Sequence, residues 1–206
     1  MRFLITAGPT REPIDPVRYI GNRSSGKMGA ALAAAALKAG HETTVILGPV
    51  SVAFPKAARI VDVETAAEML DAVLREFSRH DLLVMAAAVA DYRPVAASAE
   101  KLARQGPRAL ELESTVDVVA AAGAIKRPDQ RTLGFSLESI PDLDRVRGKM
   151  RQKNLDLIVY NPIATIASDS IRPSLLYPDG RLEAMPYGSK ADFADMLIQR
   201  AVELFR

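Results

Sequence analysis

Asn22 is preceded by Gly21 and followed at once by Arg23, Ser24, Ser25, Gly26, Lys27 and Met28. Two hydroxyls, a glycine that lets backbone approach closely and a cation in consecutive positions are groups suited to a phosphate-sized anion. They lie between a short apolar run, RFLITAG, and an alanine-rich run, ALAAAALKAG, whose composition is that of a helix. At such a strand–loop–helix junction the first helical N–H groups lack intrahelical partners and carry the positive end of the dipole. Serine is also a routine helix N-cap, so SSGK alone reads equally as a cap or as an anion site. The stretch fits neither GxxxxGK[ST] nor GxGxxG.

The elements that must position these groups follow an alternating rhythm. Strand patterns recur at Phe3–Thr6, Thr43–Leu47, Arg59–Val63, Leu82–Ala86, Thr132–Phe135 and Leu157–Tyr160. Helix patterns lie at Gly29–Ala39, Ala66–Ser78, Val116–Ile125 and Leu143–Lys153. The strands are continuous apolar runs, which predicts a parallel sheet covered on both faces. The last third departs from that rhythm. Leu175–Tyr177 and Leu182–Met185 flank Pro178-Asp179-Gly180 as a hairpin, and Ser189 can cap a closing helix, Lys190–Phe205. The expected fold is α/β, a three-layer Rossmann-like doubly wound, mostly parallel sheet with a C-terminal hairpin, in a single domain over residues 1–206. Ligands of such sheets bind beyond the carboxyl ends of the strands. That directs attention to Gly8–Lys27, Ala87–Lys101, Ser136–Glu138 and Asn161–Asp169. Tyr92–Arg108, rich in Ala, Pro and charge, is the one long connection without clear periodicity.

Bulk composition narrows the classes. With 27 basic and 25 acidic residues the formal charge is +2, a balance that argues against a general nucleic-acid or membrane-surface binder. The absence of cysteine excludes a disulfide framework and thiolate metal sites, and with two histidines any divalent ion is expected to use oxygen ligands. No run of eighteen apolar residues and no signal-peptide pattern is present, so the chain reads as cytoplasmic.

Taken together, ITAGPTREPIDPVRYIGNRSSGKMG, AAAVADYRP, EK, LGFSLES and KNLDLIVYNP resemble the phosphopantothenate–cysteine ligase family, also called phosphopantothenoylcysteine synthetase. The blocks run from Ile5 to Pro162 in family order, while the region after Ser170 matches in general shape only. In many bacteria this domain is the second half of a fusion with a flavin-dependent decarboxylase. The chain is therefore expected to be a stand-alone form or an excised domain, with a decarboxylase as a candidate partner. The resemblance implies a step of coenzyme A synthesis: a nucleoside triphosphate, CTP favoured over ATP, activates the carboxylate of 4′-phosphopantothenate as an acyl nucleotidylate. The cysteine amine then displaces the nucleotide. Mg²⁺ held largely by phosphate oxygens and a homodimer are further implications.

The resemblance also implies roles. Asn22 and Lys101 would be catalytic, Asn22 handling the acyl nucleotidylate and Lys101 neutralising the triphosphate or the transition state from a flap. Gly21, Arg23, Ser24, Ser25, Gly26, Lys27, Met28, Ala87 and Ala88 would bind the acid substrate. Asp91, Lys101, Val116, Asp117, Val118, Val119, Phe135, Lys149 and Lys153 would bind the nucleotide, Phe135 beside the base and Asp91 at the ribose hydroxyls or Mg²⁺. Each has an ordinary counterpart reading: Asn22 as a left-handed turn residue, Phe135 as core, Lys149 and Lys153 as an exposed pair one helical turn apart. The chain departs from the family where the lysine cluster thins to Leu102-Ala103-Arg104 and where Asn-Pro-Asp becomes Thr115-Val116-Asp117. A Rossmann-type NAD(P)-dependent oxidoreductase is an alternative, weakened by the missing GxGxxG. A non-catalytic binding homologue of the ligase is another.

Overall fold

The computed structural model describes residues 1–138, 142–162 and 170–206. The chain opens with β1 (Arg2–Ala7), a ribbon of β2 (Arg11–Pro13) and β3 (Tyr19–Gly21), α1 (Lys27–Lys38), β4 (Glu42–Leu47) and β5 (Arg59–Asp62). It continues through α2 (Ala66–Phe77), β6 (Leu82–Met85), a second ribbon of β7 (Tyr92–Pro94) and β8 (Leu112–Ser114), and α3 (Val118–Ile125). Then come β9 (Arg131–Glu138), α4 (Leu143–Gln152), β10 (Leu157–Pro162), β11 (Ser170–Ile171), β12 (Ser174–Leu176), β13 (Leu182–Ala184), β14 (Gly188–Ser189) and α5 (Lys190–Glu203).

Eight strands form the main sheet in the order β13-β12-β10-β9-β6-β1-β4-β5. The run from β5 to β10 is parallel, and β12 and β13 extend it antiparallel. From β1 the chain builds outward first to β4 and β5, then in the opposite direction to β6, β9 and β10. The strand order therefore reverses between β1 and β6, which opens a crevice at their carboxyl ends.

Alternation along β1 explains the three layers. Phe3 and Ile5 pack on one face against Leu32 and Ala36 of α1 and Phe193 and Leu197 of α5. Leu4 packs on the other face with Met69, Val73 and Phe77 of α2 and Ala122 of α3. Successive strand residues point to opposite faces, so an unbroken apolar run is what a doubly covered strand requires. On the second face Val146 and Met150 of α4 cover Ile158 and Leu176. Among the described residues no helix is long and apolar enough to cross a membrane.

Helix starts follow local chemistry. Thr65 with Glu68 and Ser189 with Asp192 form capping boxes on α2 and α5, the latter as expected from Ser189. The hairpin also falls where its turn residues place it, closed by Gly180 N to Tyr177 O at 3.0 Å. At α1 the cap reading of SSGK gives way. Gly26 is the N-cap in a left-handed conformation (φ 75°), with no side-chain cap bond.

Several boundaries move. α3 starts at Val118 instead of Val116 because the Asp117 side chain caps it, accepting from Ala120 N at 3.0 Å. β9 continues to Glu138, so Phe135 lies within the strand and Ser136–Glu138 is strand instead of loop. The start of the unpatterned Tyr92–Arg108 connection is β7, paired with β8. Of the expected ligand segment 161–169, residues 163–169 lie outside the described residues.

Gly29 lets α1 lie directly on β1: a Cβ there would stand 2.3 Å from the Ala7 Cβ. Gly29→Ala should destabilise the fold by about 1–3 kcal/mol through overpacking. Chemical denaturation monitored by circular dichroism reads this as a lower midpoint at unchanged slope; an unshifted midpoint would mean that α1 packs more loosely than this.

Candidate functional site

The site begins where β1 and β6 run out of regular ladder. Ala88 N donates to Gly8 O (2.8 Å) and Thr10 N to Ala88 O (3.3 Å), which carries the pairing past both strands. Two fully buried threonines hold this extension. Thr6 Oγ1 accepts from Ala87 N (3.2 Å) and Thr10 Oγ1 from Ala90 N (2.9 Å). On the far side Thr115 donates its hydroxyl to Ala90 O (2.6 Å) and its amide to Asp91 O (2.9 Å). Asn22 donates from Nδ2 to Val89 O at 2.7 Å. Among the described residues only Asn154 combines a side chain with positive φ, so Asn22 does not take the left-handed turn conformation.

This fixed backbone walls two cavities. The larger, about 670 Å³, lies on the α3 and α4 side and is lined by Asn22, Ala87, Ala88, Asp91 and Phe135. Val116, Asp117, Val118 and Val119 form its α3 edge, and Lys149 and Lys153 its α4 edge. Lys149 Nζ donates to Ser136 Oγ at 3.2 Å. Lys153 Nζ pairs with Asp117 Oδ2 at 2.8 Å. Burial works against the charge of Asp117, but Lys153 and the α3 amides outweigh it and hold the carboxyl below its ordinary range. Lys149 and Lys153 are thus wall groups of one cavity. Phe135 serves both readings, packing against the core and facing this cavity.

The smaller chamber, about 190 Å³, shares Ala87, Ala88, Phe135 and Leu137 with the larger one. Arg23, Ser24, Ser25 and Met28 line it from the α1 side, and Asn161 and Lys190 from β10 and α5. Asn161 is 5% exposed, and its Oδ1 is the one buried side-chain polar atom without a hydrogen-bond partner among the described residues. Such an orphan costs about 1–3 kcal/mol unless a ligand satisfies it. Gly21 lines a third cavity of about 660 Å³ beside the first ribbon, together with Asn22, Arg23, Ser24 and Ser25. Gly26 and Lys27 line none of these three, and neither does Lys101.

Lys101 sits on an exposed loop whose anchor is Asp15. The fully buried Asp15 carboxylate accepts from Val17 N and Arg18 N, both at 2.8 Å, from the Arg18 guanidinium, and from Leu102 N at 3.2 Å. Arg18 returns a bond to Leu102 O at 2.7 Å. The Arg18 guanidinium, ahead of the backbone amides, holds the Asp15 carboxyl well below the usual carboxylate range. One buried carboxylate therefore orders both the Asp15–Arg18 turn and the residue after Lys101.

Arg145 and Lys190 were not singled out from the sequence, and Asn161 only as part of a post-strand segment. Arg145 lines the larger cavity and stands four residues before Lys149, so helical spacing carried a signal for it. Asn161 carried one as the first residue of the post-strand segment 161–169, while Lys190 had none, because the return of α5 brings it in from a distant part of the chain.

A doubly wound sheet with cation-lined cavities at its switch point defines the class, an α/β domain whose candidate site lies at the carboxyl ends of the strands. Residues 1–204 match the family described as the DNA/pantothenate metabolism flavoprotein C-terminal domain, and the chain belongs to that family. It is 40% identical over 207 residues to the coenzyme A biosynthesis bifunctional protein CoaBC of Bacillus subtilis (strain 168), covering 98% of this chain and 51% of that relative. It is 37% identical over 209 residues to a cysteine/cysteine sulfinic acid decarboxylase of an unknown prokaryotic organism, covering 98% of this chain and 58% of that one. The solved C-terminal domain of CoaBC superposes with a TM-score of 0.84 at 36% identity, covering 98% of this chain and 95% of that domain. The chain thus spans about half the length of the curated relatives it matches.

A depressed carboxyl stabilises the fold above its unfolded pKa, and that contribution drains away as pH falls through the folded value. Asp15→Asn should therefore lower stability at pH 7 and differ less from the unmodified protein at pH 3, where the unfolded chain already binds the proton. Denaturation midpoints at the two pH values check this; a difference that stays constant would show that Asp15 contributes nothing through its charge.

Proposed function

We propose that this domain carries out the phosphopantothenate–cysteine ligase reaction of coenzyme A biosynthesis. The observation that carries the reading is convergence: Asn22, Ala87, Ala88, Asp91, Asp117, Phe135, Lys149 and Lys153, spread along the chain, line one cavity. The CoaBC relatives and the match of their solved C-terminal domain support it.

In this reading the nucleotide occupies the larger cavity, its base against the Val116–Val119 backbone and Phe135, and its charge toward Lys149 and Lys153. A carboxylate oxygen of 4′-phosphopantothenate attacks the α-phosphorus and pyrophosphate leaves. The cysteine amine then attacks the acyl carbon, and the nucleoside monophosphate departs with the bonding pair. Asn22, tied to Val89 O, presents its amide beside the Ala87–Ala88 backbone, where the acyl oxygen gathers charge. Lys101 completes the cationic surroundings from its loop. CTP is the favoured nucleotide. Among the described residues no cluster of three or more His, Asp or Glu suits a metal ion, so Mg²⁺ is proposed to arrive on the phosphate oxygens, with Asp91 as the cavity carboxylate available to it. The exposed Val17, Tyr19, Tyr92 and Leu112 of the two ribbons support a homodimer, and a decarboxylase is the proposed partner that supplies the other half of the bifunctional relatives.

The test is purified protein with 4′-phosphopantothenate, cysteine and Mg²⁺, with CTP and ATP in separate reactions, following pyrophosphate and amide. Turnover is expected, faster with CTP. Asn22→Ala should still release pyrophosphate while amide formation falls about 100-fold, the scale of one lost oxyanion donor. Lys101→Ala should slow both steps with an unchanged melting temperature. Full turnover in both variants would remove these roles. Carbon dioxide released from cysteine or its sulfinic acid without nucleotide would favour the chemistry of the decarboxylase relative instead.

A further inference from the structure

We infer that Arg145 is a further nucleotide contact, holding the distal phosphates that leave as pyrophosphate. The inference rests on the ligase reading and deepens it at one end of the larger cavity. Among the described residues, the charged side chains lining that cavity are Asp91, Asp117, Arg145, Lys149 and Lys153. Lys153 is balanced by Asp117 at 2.8 Å, and in charge Lys149 offsets no more than Asp91. Without Arg145 the wall has no surplus positive charge for a polyanion to meet. Arg145 supplies that surplus, and an excess of one sign in a cleft draws in ligands of the other. The loop of Lys101 continues as Leu102-Ala103, and neither Lys101 nor Arg104 lines this cavity, so the surplus cation of the wall itself is Arg145.

Position assigns the distal phosphates to it. Arg145, Lys149 and Lys153 follow at four-residue spacing, so they share one face of α4 and its C-cap and run along about 12 Å of helix. Lys153 is anchored at Asp117, the residue that starts α3, and the base is proposed to lie against α3. Lys149 comes next, held at Ser136 of β9. Arg145 ends the row in the first turn of α4, exposed where the two lysines are half-buried. In the ligase reading the nucleotide therefore runs from its base at the walled end to its distal phosphates at the mouth. A guanidinium there presents a planar fork that pairs with two phosphate oxygens at once. As the carboxylate oxygen bonds to the α-phosphorus, the bond from that phosphorus to the bridging oxygen breaks, and its electron pair departs on pyrophosphate. Arg145 meets that charge as it develops.

Equilibrium binding of CTP and CMP, with ATP and AMP alongside, needs no turnover and reads the contact directly. Arg145→Met should raise the Kd for the triphosphate about tenfold, the scale of a lost hydrogen bond to a charged group, and that for the monophosphate within about twofold. Arg145→Lys keeps the charge without the fork and should recover part of the loss. Arg147→Met removes a cation of the same helix that does not line the cavity, and should leave both constants unchanged. In turnover, Arg145→Met should raise the KM for the nucleotide and leave that for cysteine within about twofold. Because Arg145 is exposed, its variants should melt with the unmodified protein. An unchanged triphosphate Kd, equal weakening of triphosphate and monophosphate, or an Arg147→Met variant that matches Arg145→Met would overturn the assignment. The expected binding pattern without amide formation would uphold the contact and overturn the ligase reading. Unmodified protein that binds neither nucleotide would overturn both.

Discussion

Past the last ladder bonds of β1 and β6 the two segments would part, each toward its own ribbon. Thr6 and Thr10 keep them together. Each places a fully buried hydroxyl against an amide of Ala87 or Ala90, which regular sheet geometry no longer serves. Thr115 repeats the device from the other side, and Asn22 closes it at Val89 O. A four-residue stretch of small side chains thus becomes a rigid partition between two cavities. The small side chains leave the backbone open to the cavities, and the borrowed hydroxyls supply the order that small residues do not supply themselves.

Charge is arranged around that partition by pairing. Lys153 against Asp117 and Lys149 against Ser136 hold two flexible side chains in place on one helix face. Asp117 works twice, since its other oxygen starts α3. Asp15 does the same on a larger scale, satisfying a tight turn and a distant loop with one buried carboxylate. Burying such a group is costly unless donors surround it, and here the donors are the segments that need ordering.

Periodicity made the layers legible. Continuous apolar strands separated by helical runs require a parallel sheet covered on both faces, and the observed core bears this out residue by residue. The ribbons were less visible, because strands of two or three residues carry too few positions for a period to show. The helix start at Gly26 was also hidden: serine is the better cap in isolation, but the chain needs a left-handed turn there, which glycine enters at little cost.

From the sequence by itself come the fold class, the helix cap at Ser189, and the family motifs that point to Asn22, Ala87, Asp91 and Lys149. These rest on local composition and spacing, which act over a few residues. Only the tertiary structure decided that Phe135 belongs to both core and cavity, that Lys101 stands apart from the cavity walls, and that Asn161, Arg23 and Lys190 share one chamber. Strand order brings such residues together, and that order is settled by long-range packing across the whole sheet, where no short stretch of sequence carries the information.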